Sequence, residues 1–149
     1  YTEALAIDEQ LGDLRGKATG LNNIGSILYG KGKLDEALKY YKEALAIDEQ
    51  LGDLREKATK LNNIGSIHYK RGDYKTALEF FEKSFTIADR LGALQMKAHL
   101  LWWIGTIHGK LNNQSAAIKS FEHSLSLYKQ MGLNKMVQKV QKSLDSLKS

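Results

Sequence analysis

Four histidines, His68, His99, His108 and His123, are the side chains of this 149-residue chain whose ordinary pKa suits proton transfer near neutral pH. Their spacing does not build a catalytic site. His68 and His108 lie forty residues apart, at equivalent points of an internal repeat, on a helical stripe that is otherwise apolar and carries Leu28 in its first copy. A packed or half-buried histidine is the expectation there. No HExxH, nucleophile elbow or phosphate-cradling glycine loop is present, and the absence of cysteine removes thiolate nucleophiles, disulfides and Cys-based metal sites together. No catalytic residue, metal site or cofactor is expected, so the chain does not read as an enzyme.

A second set of residues suits recognition without reaction. Thr19, Asn22, Ser26 and Tyr29 are spaced three, four and three apart, which puts them on one stripe of a helix; Thr59, Asn62, Ser66 and Tyr69 repeat the spacing, and His99, Trp102, Thr106 and Gly109 rewrite it. An asparagine amide carries both a donor and an acceptor, so a ladder of them can bond an extended peptide backbone whatever its side chains are. Paired asparagines cost helix propensity and need a reason. One asparagine of each pair, Asn22 or Asn23 and Asn62 or Asn63, could face a ligand while the other ties adjacent repeats together, and Asn22 with Asn62 is the preferred choice for the ligand. Trp102, standing where the earlier copies have Asn, offers an aromatic platform for an apolar side chain, whereas Trp103 is expected to pack between repeats.

The elements that position these stripes follow from the repeat itself. LNNIGSILY at 21–29 returns as LNNIGSIHY at 61–69 and as LWWIGTIHG at 101–109, and residues 3–29 match 43–69 at 24 of 27 positions. A fixed period of this size marks a helical array. Leu51-Gly52-Asp53 reads as a stop and a start: Gly52 can end a helix in the left-handed conformation, Asp53 can cap the next, and Glu56 completes a capping-box pattern. A first helix over about 54–70 is followed by a break at Gly72, a cap at Asp73 and a second helix with Tyr74, Ala77, Leu78, Phe81, Phe85 and Leu91 on its stripe. Pairs are expected likewise at about 14–30 with 34–51 and at about 94–110 with 114–131. Gly25, Gly65 and Gly105 sit mid-helix, where glycine costs up to about 1 kcal/mol against alanine; a close approach of another backbone, opposite Ala37 and Ala77, is the expected reason.

The spacing Leu61, Ile64-Gly65, His68, Gly72, Ala77, Phe81 and Ser84 resembles the tetratricopeptide repeat, and the forty-residue period resembles the variants in kinesin light chains and G-protein-signalling modulators. The usual period is 34; the longer one, and the lack of the family's proline, fit a second helix that continues to Gly52, Gly92 and Gly132. The resemblance implies an all-α, right-handed superhelical solenoid of antiparallel helix pairs, with repeats at 13–52, 53–92 and 93–132. Residues 1–12 would be the second helix of a truncated repeat in a longer array. Met136, Val137, Val140, Leu144 and Leu147 form one apolar stripe, so 133–149 is expected to be a capping helix. The first helices of such arrays line a concave surface, and the leading Asn of the LNN motif binds peptide backbone in kinesin light chains, which matches Asn22 and Asn62. The implied site is Asn22, Ser26, Tyr29, Asn62, Ser66, Tyr69, His99, Trp102 and Thr106.

Charge refines the expected partner. The net +5 conceals a gradient, from −4 over residues 1–13 through 0 over 14–53 and +3 over 54–93 to +6 over 94–149. A basic half favours an acidic or carboxylate-bearing protein or peptide. Nucleic acid is not expected despite a sequence pI of about 9.3, because base-reading helical repeats vary their reading residues and two copies here are nearly identical. No apolar run reaches the roughly 18 residues a membrane span requires, the basic tail lacks aromatic anchors for a membrane surface, and a cytoplasmic setting is expected. Peptide binding in the groove is the leading function. A sensory module taking a small molecule or signalling peptide is the alternative, and self-association through the uncapped first helix is a third.

Overall fold

The structure, a computed structural model, describes residues 2–149 and the side chains of 9–149. Seven helices follow one another: α1 (Thr2–Gly30), α2 (Leu34–Leu51), α3 (Leu54–Lys70), α4 (Tyr74–Leu91), α5 (Leu94–Lys110), α6 (Gln114–Met131) and α7 (Asn134–Lys148), with no strand among the described residues. Each packs chiefly against its chain neighbours, so the chain is an α-solenoid. The core lies between successive pairs. Ala77 and Phe81 of α4 close on Leu100, Ile104 and Ile107 of α5, and Phe121 and Tyr128 of α6 close on Val140 and Leu144 of α7.

The turns obey the punctuation. Gly52 ends α2 at φ 69°, and the amides of Gly52 and Asp53 return to the carbonyls of Glu49 (3.2 Å) and Asp48 (3.0 Å). Where the second repeat turns on Gly72 (φ 82°), the third uses Asn112 (φ 62°), a residue type that tolerates the left-handed region. The caps are thinner than the capping-box pattern suggests. Asp53 accepts from the Glu56 amide at 3.2 Å, but the Glu56 side chain goes instead to Lys60, and Asp73 makes no side-chain cap bond.

Two expectations need correcting. The helix break at Gly12 does not occur, and α1 runs unbroken from Thr2 to Gly30. At the identical Leu51-Gly52-Asp53 the turn is bracketed by Lys60, buried against Asp48 and Glu56; the matching positions in the first copy are Gly20 and Gly16, which supply no such bracket. The remainder of the anticipated second helix at its start, Tyr1 and the side chains through residue 8, lies outside the described residues. The mid-helix glycines, in turn, make room for a ring and not for a backbone. A Cβ at Gly65 would stand 3.2 Å from Phe81, at Gly25 2.9 Å from Tyr41, and at Gly105 2.8 Å from Phe121.

Helix α7 lies against α6 and touches α5, burying Val140 and Leu144. At the other end, Ile24 and Ile27 of α1 are 43% and 59% exposed, while the equivalent Ile64 and Ile67 are fully buried. Among the described residues nothing packs on α1 as the α2 face packs on Ile64 and Ile67.

Candidate functional site

Helices α1, α3 and α5 carry the stripes singled out by their spacing, and side chains along them meet across repeats. Asn63 donates to Asn22 Oδ1 at 3.3 Å, the Trp103 ring sits edge-on to Tyr69 at 5.1 Å, and Trp102 Nε1 donates to Ser143 Oγ at 3.1 Å. Three hollows lie along this face. The first, about 80 Å³, is bounded by Tyr29, Tyr41, Asn63 and Ser66. The second, about 430 Å³, gathers Thr59, Asn62, His99 and Met136, with Tyr128 at its base. The third, about 420 Å³, lies among Trp102, Thr106, Gly109, Phe121 and Ser143.

Asn62 is half-buried, and its Oδ1 is buried without a hydrogen-bond partner. An unpaired buried acceptor costs roughly 1–3 kcal/mol, which a ligand donor would recover. His99 shares this hollow, and its Nε2 accepts from Trp103 Nε1 at 3.1 Å. That bond requires an unprotonated Nε2. Burial, assisted by Lys139, holds the His99 pKa below the ordinary histidine value, so the ring is a neutral polar wall at neutral pH.

The other stripe residues are more engaged than their spacing suggests. Asn22 spends its oxygen on Asn63, which divides the asparagine pair as expected for Asn63 and ties Asn22 into the same bond. The Ser66 and Thr106 hydroxyls donate to the carbonyls four residues earlier, at 3.1 and 2.8 Å, and so offer only acceptor lone pairs. Ser26 Oγ lies 3.0 Å from the Tyr41 hydroxyl. Tyr29 carries Lys70 Nζ 4.4 Å from its ring centroid, and burial pushes its phenol pKa up, with a further push from Tyr41. Tyr69 packs against Tyr74 and Trp103.

Trp102 is not an open platform. Lys139 Nζ stands 4.1 Å from its ring centroid and Ser143 holds its Nε1, both from α7, so the tail helix furnishes part of this wall. Trp103 stacks on Phe81 at 5.3 Å and 9°, between repeats as its neighbourhood in sequence suggests. His68 lies parallel to Phe80 at 5.4 Å and is half-buried, a packing histidine.

Sequence reasoning missed one buried ionic cluster. Lys60 is 1% exposed, with Nζ 2.9 Å from Glu56 Oε2 and 3.2 Å from Asp48 Oδ2. The signal was available: forty and eighty residues on, the same position is Leu100 and Val140. No group of three or more metal-ligating side chains occurs among the described residues, and no helix there is long and apolar enough to cross a membrane.

Comparison with known proteins places this geometry. A family model for the tetratricopeptide repeat matches residues 1–50 and 56–130. No curated protein matches the chain. Among solved structures, the N-terminal domain of stress-induced protein-1 from C. elegans superposes with a TM-score of 0.67 at 21% identity, over 86% of this chain and 97% of that one. Aspartyl phosphate phosphatase F from Bacillus subtilis gives 0.85 at 13% identity, over 89% of this chain and 35% of that one. The apo form of RapI gives 0.85 at 18%, over 91% and 38%. The chain thus spans little more than a third of the last two proteins, and at these identities the likeness is one of fold.

Proposed function

The chain belongs to the tetratricopeptide repeat family, a protein-interaction module, and on that premise we propose that it binds an extended peptide or partner segment along the odd-helix face. The observation that carries this reading is the Asn62 amide, half-buried in a hollow of about 430 Å³ with its oxygen unpaired. An unpaired acceptor beside a neutral histidine and two methionines suits a backbone N–H flanked by an apolar side chain. Lys110 borders the third hollow and Lys139 stands over the Trp102 ring that walls it, and with the +6 charge of residues 94–149 they favour an acidic segment in that half. A protein binding in this way needs no catalytic group.

Selection of peptides from a random display library tests the site directly. Peptides recovered on the intact protein should lose at least about tenfold in affinity for Asn62→Ala, the worth of one hydrogen bond to a buried acceptor, while helicity by circular dichroism stays unchanged. Equal affinity for the variant overturns this assignment of the site.

A second reading, self-association, is favoured by the exposed Ile24 and Ile27, whose counterparts are wholly covered. The occupant would be a second copy offering its own α2 face, which carries the Ala37, Tyr41 and Leu45 that cluster with Ile64 and Ile67. Light scattering should then show mass rising with concentration, and Ile24→Ser with Ile27→Ser should abolish the rise. A strictly monomeric parent protein removes this reading.

A further inference from the structure

The first and third hollows of the odd-helix face are the same site two repeats apart. Tyr29, Tyr41, Asn63 and Ser66 bound the first; adding eighty to each number gives Gly109, Phe121, Ser143 and Ser146, all of which bound the third. The middle copy consists of Tyr69, Phe81, Trp103 and Thr106, and there the indole of Trp103 occupies the space. It stacks on Phe81 at 5.3 Å and 9° and takes the edge of Tyr69 at 5.1 Å. One repeat later the stacking base survives as Phe121 while Trp103 becomes Ser143 and Tyr69 becomes Gly109. What remains is an opening of about 420 Å³ in place of an internal ring. Volumes of this order hold small ligands and anchoring side chains. The first copy keeps its tyrosine and an asparagine, and only about 80 Å³ is left.

We propose that the hollow between α5, α6 and α7 is a binding slot for one aromatic side chain of a partner segment, held among Trp102, Gly109 and Leu147 above the buried Phe121. This rests on the reading of the odd-helix face as the partner-binding surface. The chain itself supplies the argument for an aromatic occupant, because the same backbone frame one repeat earlier is filled by an indole. The rest of the slot agrees. Leu147 gives an apolar wall, and Gly109 leaves the entrance without a side chain, its notional Cβ only in ordinary contact with Leu147 at 3.8 Å. Phe121, only 3% exposed, forms the floor of the slot. Trp102 forms the adjoining wall, held upright by Ser143 and Lys139.

N-acetyl-tryptophanamide is the probe, followed by amide chemical shifts of the intact protein. In the parent protein the probe should move the amides of Gly105, Gly109, Phe121 and Ser146, saturating in the millimolar range. Ser143→Trp, which supplies the ring internally, should abolish those shifts; Gly109→Tyr, which closes the entrance, should weaken them at least fivefold. Both variants reproduce residues the fold already accepts at Trp103 and Tyr69, and circular dichroism verifies that each is folded. No shift in the parent protein, or shifts equally strong in a folded Ser143→Trp, overturns the slot. Peptides that need Asn62 yet bind Ser143→Trp undiminished would overturn the slot while leaving the groove intact. Peptides that bind the slot but ignore Asn62 would do the reverse.

Discussion

Lys60 Nζ stands 3.2 Å from Asp48 Oδ2 inside the α2–α3 contact, with the two residues 1% and 3% exposed. The contact lacks hydrogen-bond geometry at that oxygen, and burial drives the Asp48 pKa up against the opposing pull of Lys60. The positions of Asp48, Lys60 and its other partner Glu56 are Ala88, Leu100 and Met96 at the next junction, and Tyr128, Val140 and Met136 at the last. One junction of the array is therefore ionic where its two successors are apolar.

That comparison predicts an asymmetric mutational cycle. Lys60→Leu alone leaves a buried carboxylate without its cation and should cost about 3–5 kcal/mol. Adding Asp48→Ala rebuilds the Ala88–Leu100 contact, and stability should return to the parental value or exceed it in urea unfolding. A raised folded-state pKa means that Asp48 holds its proton more tightly when folded. Its contribution is fully present below the ordinary aspartate value and is lost as pH rises through the raised one. The parent protein should thus gain on the double variant upon acidification through that window. If the single variant is as stable as the double, the pair is not buried as described.

Gly105→Ala separates ring clearance from helix propensity. Alanine gains about 1 kcal/mol in a helix interior, but its Cβ would lie 2.8 and 2.9 Å from two Phe121 ring atoms, an overlap costing typically about 1–3 kcal/mol in a packed core. A net loss is expected. At Gly65 the clearance is 3.2 Å, and Gly65→Ala should lie closer to neutral. Adding Phe121→Leu should relieve part of the Gly105→Ala cost. Thermal melts of the three variants against the parent protein decide the matter, and equal effects at the two glycines would exclude ring clearance as the cause.

Ser84 and Ser124 test a buried bond whose acceptor is already satisfied. Each hydroxyl donates at 2.7 Å to a carbonyl of the preceding first helix, Ala58 or Ala98. Those carbonyls are mid-helix and have backbone partners of their own, so Ser84→Ala should cost no more than about 1 kcal/mol. The first pair already carries fully buried Ala44 at this position. Ser84→Leu, by contrast, has no room and should lower the unfolding midpoint sharply.

The architecture was legible because it is written in spacing. Gly52, Gly92 and Gly132 end helices, and Ile64, Ile67, Ala77 and Phe81 recur in register with the packing they perform. Side-chain partnership across helices was less legible. Nothing in LWWIGTIHG tells that Trp102 is held by Ser143, forty-one residues away, because that contact depends on how α7 docks. The Ser66 and Thr106 hydroxyls look free on a helical wheel, yet they bond back to their own helix. Lys60 escapes a sequence reading for a chemical reason: lysine is ordinarily solvated, and only its alignment with Leu100 and Val140 betrays a core position. The break at Gly12 failed because a local turn signal needs neighbouring residues to hold the turn closed.

His99 should make stability and groove occupancy depend on pH in one direction. Its folded pKa lies below the ordinary histidine value, chiefly through burial and secondarily through Lys139 of α7; Tyr128 of α6 borders the same hollow and is un-ionised here, burial having raised its own pKa. A depressed pKa contributes stability that is present above the unfolded value and is lost as pH falls through the folded one. Protonation would also place a donor at Nε2 opposite the Trp103 N–H, breaking the 3.1 Å bond. The unfolding midpoint should therefore fall on acidification below about pH 6.5, and His99→Gln should flatten that part of the profile. Lys139→Gln removes the facing cation and should move the fall to lower stringency, with the folded histidine titrating nearer its ordinary value. Histidine ring shifts followed by NMR through the same range provide the direct check. A His99 that titrates at the ordinary value in the folded protein would show that its ring is not enclosed against Trp103.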